Sequence, residues 1–475
     1  MMKKTINHIA IWTKDIRFWL ILLFAIRLFN ITNPPIEVAH SWRQTTVTMV
    51  ARNFYEVDPD ILYPRIDISE DLTGITGMEF PILSYLCYLF SLVFGYGHWY
   101  GRLINLIVSS IGCYFYYLLI KKYFPKRIAF ASTFILSVSL WFCYSRKIMP
   151  DTFSTSLVLI GMYYGTNYLE GKGRKWAGLT LYAIFTLLGV LAKLPSGYLL
   201  VLFIFPLLDK GNELKGKIIF CLVSILICCP IAWWYFRWVP YLVDEFGLWH
   251  FFMGKGFAMG IREIWENIGD TLAHFYDDAL KFIGFGIFCL GLFFCFKKHE
   301  KLSLRILLVS FMAFLVIIFK SGWTFSHHCY YIIPFVPVMA LIAGFGATSV
   351  KKKWLTVLIL SAIAIENILN QHSDFMIRSN RECLLEIEKV LDQHCDRNDL
   401  IVINSGYDPT AMYFAHRKGW VAPNAEIKNA EYLNGLRSRG CCYALILKQV
   451  FGENIDLGYE KIIDNEDYTL YKLDK

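Results

Sequence analysis

Long apolar runs separated by short clusters of lysine and arginine constrain the fold of this chain more than any other feature. The clusters lie at residues 121–127, 172–175, 210–217, 297–305 and 351–353. Positively charged loops mark the cytoplasmic side of a membrane protein. The 475 residues are 56% hydrophobic and only 18% charged, which is more apolar surface than a soluble core can bury. The net charge of +8 does not indicate a nucleic-acid partner, because the basic residues lie between apolar runs.

Eleven apolar segments predict about eleven transmembrane helices, since a helix needs roughly 20 residues to cross the hydrocarbon. They are residues 18–31, 103–120, 128–142, 152–168, 176–191, 198–208, 218–236, 282–296, 304–319, 331–350 and 354–369. Residues 80–95 are also apolar enough to cross, but a crossing there would place every later basic cluster outside. We therefore predict an amphipathic helix that lies in the membrane interface.

This topology predicts a polytopic α-helical membrane protein with a small C-terminal α/β domain. The membrane domain covers residues 1–370, with a first outer loop at 32–101 that holds interfacial helices and a second at 238–281. The second loop is either a lid over a site or a solvated connector. Residues 371–475 form a non-cytoplasmic domain, with helix-like pieces at 382–391 and 408–416 and strand-like pieces at 400–404 and 443–447.

Polar and ionisable residues collect on the predicted outer face. They are His40, Arg43, Glu79, Arg102, Arg146, Asp151, Lys193, His328 and Tyr331. Because ionisable groups beside a membrane are costly unless solvated or paired, this grouping predicts a cavity. Each of these residues also has a structural explanation that involves no catalysis. They can be ordinary loop charges, the cations can snorkel toward the headgroups, and Asp151 can be the N-cap of the helix that begins at Thr152.

Several motifs follow one another on this face in a familiar order. They are Trp42-Arg43-Gln44, Ala51-Arg52-Asn53-Phe54, Glu79-Phe80-Pro81, Met149-Pro150-Asp151, Ala192-Lys193-Leu194-Pro195, His327-His328-Cys329-Tyr330-Tyr331 and Tyr407-Asp408-Pro409. Their order and sidedness resemble the GT-C superfamily of membrane glycosyltransferases, in particular the bacterial branch of the dolichyl-phosphate-mannose protein mannosyltransferase and aminoarabinose transferase family. The resemblance implies transfer of a sugar from a polyprenyl-phosphate donor to an acceptor hydroxyl, with inversion. The reaction would take place on the outer face of the inner (plasma) membrane, on the same side as the C-terminal domain.

The chain departs from this family at one position. Where the family commonly has an Asp-Glu pair at the start of the first-loop helix, this chain has Arg43-Gln44. The resemblance therefore leaves Asp151 and Glu79 as the expected catalytic carboxylates. His40 is a less favoured candidate, because a lone histidine is more often structural.

Cations near the outer ends of the spans would stabilise the charge that develops on the donor phosphate. We assign donor phosphate or substrate binding to Arg43, Arg102, Arg146, Lys193, His328 and Tyr331. No metal-ligand cluster stands out, and the sequence leaves open whether a divalent metal assists.

Two other classes of function compete with this interpretation. A transporter or flippase for a lipid-linked glycan would place polar residues at mid-membrane and often carry internal repeats with broken helices. A polysaccharide polymerase or ligase usually has its large outer loop in the second half of the chain. The sequence has no phosphate loop or dinucleotide fingerprint. The expected partners are the polyprenyl-phosphate sugar, a lipid- or glycan-linked acceptor and membrane lipids, with no nucleic acid.

Overall fold

The computed structural model describes residues 13–249 and 254–473, which fall into two compact units. The first unit takes the described residues of 1–31, 102–234 and 252–373. The second takes those of 32–101, 235–251 and 374–475. The predicted membrane domain begins within residues 1–12, which lie outside the described residues.

The first unit is built from helices, and each of the eleven predicted apolar segments coincides with helical structure. Its α-helices are Ile16–Arg27, Tyr100–Tyr123, Lys126–Val138, Trp141–Tyr144, Pro150–Leu169, Lys175–Ala192, Ile204–Leu208, Leu214–Trp233, Phe257–Glu266, Ile268–Ala273, Lys281–Lys297, Lys301–Ser321, Trp323–His327, Val336–Thr348 and Lys353–Asn370. The segments Leu194–Phe203 and Cys329–Phe335 are 3₁₀ helices, and His274–Asp278 is a π-helical turn.

Six helices of the described chain are long and apolar enough to cross a membrane. They are Tyr100–Tyr123, Lys175–Ala192, Leu214–Phe246, Lys301–Ser321, Cys329–Thr348 and Lys353–Asn370. The pair Ile268–Asp278 and Lys281–Lys297, bent by 88°, makes a seventh if it is one broken span. These helices agree with a multi-pass membrane protein, and the count of eleven stays a prediction.

Close packing in this unit depends on small residues. A Cβ atom added at Gly291 would collide with the carbonyl oxygen of Ile342 on the helix Val336–Thr348. Gly291 lies on the helix Lys281–Lys297, so the backbones of these two helices are in close contact. Small residues permit the same close approach at helix interfaces in membranes.

The ambiguous apolar run of the first outer loop forms the helix Ile82–Phe94, which has 13 residues. At 1.5 Å per residue it is about 20 Å long, whereas the hydrocarbon is about 30 Å thick. This length does not suffice for a straight crossing. Its placement in the membrane interface stays a prediction.

The second unit contains a five-stranded sheet. In spatial order the strands are Gly419–Val421, Leu400–Ile403, Cys441–Leu447, Tyr468–Lys472 and Glu460–Asp464. The first three run parallel to one another. Tyr468–Lys472 is antiparallel to Cys441–Leu447, and Glu460–Asp464 is antiparallel to Tyr468–Lys472. The helices of this unit are Ser41–Glu56, Ile82–Phe94, Val239–Phe246, Ile387–Leu391, Thr410–Ala415, Asn424–Ile427 and Ala430–Ser438, with a 3₁₀ segment at Ser379–Glu386. The predicted α/β character of the tail is confirmed.

The hydrophobic core of the second unit draws on two distant parts of the chain. Met49 and Phe54 of the helix Ser41–Glu56, the first-loop helix, belong to the same buried cluster as Leu384, Tyr413 and Leu445 of the tail. The predicted domains, 1–370 and 371–475, follow chain order, whereas this core takes residues from both.

Buried polar contacts connect the same two parts. Arg52 of the first-loop helix donates to the Tyr413 carbonyl oxygen at 2.9 Å and to Asp67 Oδ2 at 2.6 Å. Asn53 donates to Asp67 Oδ1 at 2.7 Å. Burial lowers the pKa of Arg52, but the Asp67 carboxylate reverses that effect and holds the pKa above its ordinary value. Both oxygens of Asp67 are therefore used to fix this helix.

His416 forms a second connection, since its two ring nitrogens lie 2.8 Å from Glu56 Oε2 and 2.7 Å from Glu388 Oε1. Two carboxylate partners require both nitrogens to carry protons, which is the charged imidazolium. Burial lowers the pKa of His416, but its hydrogen bonds to the two carboxylates outweigh burial and raise it. The hydrogen bond from His416 in turn lowers the pKa of Glu388 to about 2.

Candidate functional site

Asp151 lies in the first turn of the helix Pro150–Leu169, where the chain can hold a buried carboxylate. Backbone N–H groups at a helix start are unpaired within the helix, and the helix dipole favours an anion there. Met149 occupies the N-cap position in an extended conformation, so the expectation that Asp151 is the N-cap is wrong. Only 2% of Asp151 is exposed.

Lys193 is the charged partner of Asp151. Its Nζ lies 3.5 Å from Asp151 Oδ1, whereas Asp151 Oδ2 has no hydrogen-bond partner among the described residues. Lys193 follows the last residue of the helix Lys175–Ala192, and its extended backbone precedes a 3₁₀ segment that starts with Leu194-Pro195. The ion pair thus connects the start of the helix Pro150–Leu169 to the end of the helix Lys175–Ala192. Asp151 Oδ2 takes no part in it.

An aromatic group surrounds the lysine. The Lys193 Nζ atom lies 5.4 Å from the ring centroids of both Tyr330 and Tyr331, within cation–π distance. The ring of His328 stacks on Tyr330 with 5.3 Å between centroids, and Tyr330 lies 5.1 Å from Tyr331. The structure therefore brings together four of the predicted site residues, Asp151, Lys193, His328 and Tyr331, and adds Tyr330. We call these five residues the Asp151 cluster.

Asn105 holds the loop that leads into Asp151, and the sequence analysis missed it. Its side-chain amide lies 3.0, 2.8 and 3.2 Å from the carbonyl oxygens of Tyr144, Lys147 and Met149. Its Oδ1 accepts from the Thr152 hydroxyl at 3.1 Å. The available signal was a lone amide inside the apolar segment 103–120, since polar groups within membrane helices are costly and are kept for a purpose.

Arg102 and Arg146 are fully buried in the first unit. Arg146 Nη2 donates to the carbonyl oxygen of Asn30 at 2.8 Å. Because protein encloses both side chains, the alternative that they snorkel toward lipid headgroups is wrong. Their assignment to the donor phosphate stays a prediction.

Arg43 and Glu79 form an ion pair within the second unit, and their side chains are 6% and 5% exposed. Arg43 is the third residue of the first-loop helix, the position at which the family's acidic pair was expected. The positive charge at this position is thus neutralised by the other predicted carboxylate. His40 precedes the same helix with a φ of 54° and makes no side-chain cap.

Metal ligands are not grouped in this structure. Within residues 13–249 and 254–473, no three His, Cys, Asp or Glu side chains are arranged to hold a metal ion. We therefore derive no step through a metal, and the participation of a divalent ion stays open.

Comparison with known proteins gives a consistent result. Residues 79–234 match the family model described as dolichyl-phosphate-mannose-protein mannosyltransferase. ArnT from Cupriavidus metallidurans bound to undecaprenyl phosphate is similar in structure, with a TM-score of 0.58 at 10% identity over 96% of this chain and 98% of that chain. The resemblance to GT-C glycosyltransferases is confirmed.

A second structural match supports the same fold. The apo oligosaccharyltransferase of Archaeoglobus fulgidus has a TM-score of 0.57 at 13% identity, over 90% of this chain and 69% of that chain. No curated protein sequence matches the chain. The family match includes Glu79, Arg102, Arg146, Asp151 and Lys193, so five of the predicted site residues lie within the part that resembles the mannosyltransferases.

Proposed function

We propose that this protein is a glycosyltransferase that uses a polyprenyl-phosphate sugar on the outer face of the plasma membrane, with Asp151 as the catalytic base. The Asp151 cluster carries the proposal: a buried carboxylate with one oxygen without a hydrogen-bond partner, beside a lysine enclosed by aromatic rings. The family match over residues 79–234 and the similarity to a structure of ArnT with undecaprenyl phosphate support the donor class.

In the proposed reaction an acceptor hydroxyl attacks the anomeric carbon of the sugar. Asp151 Oδ2 takes the hydroxyl proton, the new oxygen–carbon bond forms, and the bond from the anomeric carbon to the phosphate oxygen breaks. The phosphate leaves with the electron pair, and Lys193 stabilises its charge. A single attack opposite the leaving group inverts the anomeric configuration.

The experiment replaces Asp151 with asparagine, which keeps the size of the side chain but cannot accept the proton. Mass spectrometry of glycolipids and envelope glycans from a strain that lacks the gene identifies the sugar and the acceptor. Transfer is then measured with the purified full-length protein and the matching polyprenyl-phosphate sugar. We expect Asp151→Asn to lower kcat by about 10²- to 10⁴-fold, the usual contribution of a general base.

The matched control is Asp270→Asn, the same chemical change at an exposed residue of the first unit. It should transfer sugar at the wild-type rate. Full activity of Asp151→Asn would remove Asp151 from the mechanism. If the wild-type protein transfers no sugar but moves the lipid-linked glycan across vesicle bilayers, the transporter alternative is correct.

A further inference from the structure

A pocket within the second unit is lined by a different set of polar groups. Its lining consists of residues 36–42 together with Arg378, Arg381 and Asp408, around a partly open cavity of about 170 Å³. We call it the Arg378 pocket. Apart from His40, none of the predicted catalytic residues lines it.

The turn that shapes one wall uses an uncommon backbone conformation. Ala39 and His40 are consecutive residues with φ values of 64° and 54°, although neither is a glycine. Such residues cost about 1–2 kcal/mol each relative to ordinary backbone and persist only where the surrounding structure fixes them. The turn leads directly into the first-loop helix at Ser41, so residues 36–42 are held as a defined wall.

Arg381 and Asp408 line the pocket next to this wall. Arg381 Nη1 donates to Ser41 Oγ at 2.5 Å, and its Nη2 lies 3.8 Å from Asp408 Oδ2, which is too long for a direct hydrogen bond. Asp408 Oδ1 accepts from the backbone N–H and the hydroxyl of Thr410 at 2.9 and 2.5 Å. One oxygen of Asp408 is thus used to orient the side chain, and the other remains available to a hydroxyl group.

The lining holds two arginines and two acids, and Arg378 is the arginine that makes no ion pair within the described chain. Arg381 has Asp408 as its counter-ion. The other acid of the lining, Glu37, is fully buried and accepts from Asn33 Nδ2 at 3.2 Å. Arg378 is exposed, and none of its side-chain atoms forms an ion pair or hydrogen bond within the described chain. An arginine in this state is suited to pair with a carboxylate or phosphate through two parallel hydrogen bonds.

Trp42 also lines the pocket and is partly exposed. A flat aromatic face, a carboxylate oxygen that accepts hydroxyl groups and an unpaired arginine together match a sugar ring that carries a negative charge. We propose that the Arg378 pocket binds an anionic sugar unit of the acceptor. Arg378 pairs with its oxyanion, Asp408 Oδ2 accepts from its hydroxyls, and Trp42 covers its apolar face. This proposal rests on the proposed glycosyltransferase function and specifies its acceptor.

The test measures sugar binding to the purified full-length protein in lipid nanodiscs by saturation-transfer NMR and calorimetric titration. The probes are glucuronic acid, glucose 6-phosphate, glucose and inorganic phosphate. We expect at least one of the two acidic sugars to bind tenfold or more tightly than both glucose and inorganic phosphate. A preference for glucuronic acid identifies a carboxylate as the oxyanion, and a preference for glucose 6-phosphate identifies a phosphate.

The test variant is Arg378→Gln, and Lys389→Gln is its matched control. Both remove one positive charge from an exposed residue of the tail, but only Arg378 lines the pocket. We expect Arg378→Gln to abolish the tenfold preference and Lys389→Gln to retain it. Equal binding of glucose and the acidic sugars, unchanged binding in Arg378→Gln, or an equal loss in both variants would overturn the proposal. Inorganic phosphate that binds as tightly as the preferred acidic sugar would overturn the sugar part of it.

One further variant separates this proposal from the proposed function. Asp151→Asn is expected to lower kcat for transfer by about 10²- to 10⁴-fold and to leave acidic-sugar binding unchanged. If the wild-type protein binds acidic sugars but transfers no sugar, only the glycosyltransferase assignment is refuted. Transfer that persists without any preference for acidic sugars would refute only the assignment of the pocket.

Discussion

Removing Glu79 alone is expected to destabilise the second unit strongly, because Arg43 would lose its counter-ion inside the protein. Both side chains are about 95% buried. Loss of one partner of a buried ion pair costs about 3–5 kcal/mol, whereas replacing both partners leaves no uncompensated charge. We therefore expect Glu79→Gln to lower the free energy of unfolding by about 3–5 kcal/mol and the double variant Arg43→Gln/Glu79→Gln to recover at least half of that loss.

The assay is thermal unfolding of the purified full-length protein in detergent, followed by tryptophan fluorescence. For a unit of this size, 1 kcal/mol corresponds to about 2–4 °C in Tm, so the single variant should unfold roughly 6–20 °C below the wild type. Asp58→Asn, which breaks the more exposed pair of Asp58 with Arg65, is the control and should change stability by less than about 1 kcal/mol. Losses that simply add in the double variant would refute this reasoning.

The same variants separate the two roles open to Glu79. If Glu79 only neutralises Arg43, sugar transfer by the double variant returns together with its stability. If Glu79 is a catalytic base, the double variant is stable but inactive. The measurement is made at a temperature at which every variant is folded.

Three further predictions concern other parts of the molecule. The charged form of His416 stabilises the fold fully below its ordinary pKa of about 6.5, and this stabilisation is lost as pH rises through its raised pKa. The Tm of the wild type should therefore fall more between pH 6 and pH 9 than that of His416→Gln, and equal slopes would contradict this. Asn105→Ala removes one donor from the carbonyl groups of Tyr144, Lys147 and Met149, and we expect a loss of about 1–3 kcal/mol in stability together with lower kcat, both measured against the wild type. Gly291→Ala should reduce the yield of folded protein on size-exclusion chromatography because its Cβ collides with a neighbouring helix, whereas Gly286→Ala on the same helix, with no atom within 4 Å, should not.

The features that follow from local patterns could be predicted from the sequence. Apolar runs marked the helices, and short β-branched and apolar runs marked the strands Leu400–Ile403 and Cys441–Leu447. Asp151 and Lys193 were recognised as candidates because each is a charged residue at the end of an apolar segment. Their pairing was not predicted, although adjacent helices joined by short connections place their ends close together.

The long-range pairings could not be predicted in the same way. Arg43 and Glu79 were assigned separate roles, because nothing in their spacing along the chain shows that they pair. The edge strands Gly419–Val421 and Glu460–Asp464 were missed since each is short and has little alternation. Asn105 was missed because one amide in an apolar segment does not indicate which carbonyl groups it will bind.

The core shared by the first-loop helix and the tail has a consequence for how the chain is made. Met49 and Phe54 emerge from the ribosome more than 300 residues before Tyr413 and Leu445, which complete the core around them. During that interval the apolar side of the first-loop helix lacks its final cover, and such intermediates are open to aggregation and to proteases. A chain that stops at residue 370 would contain the helices up to Lys353–Asn370 but none of the tail residues that complete this core. The second unit therefore completes its core only after the tail has been translated.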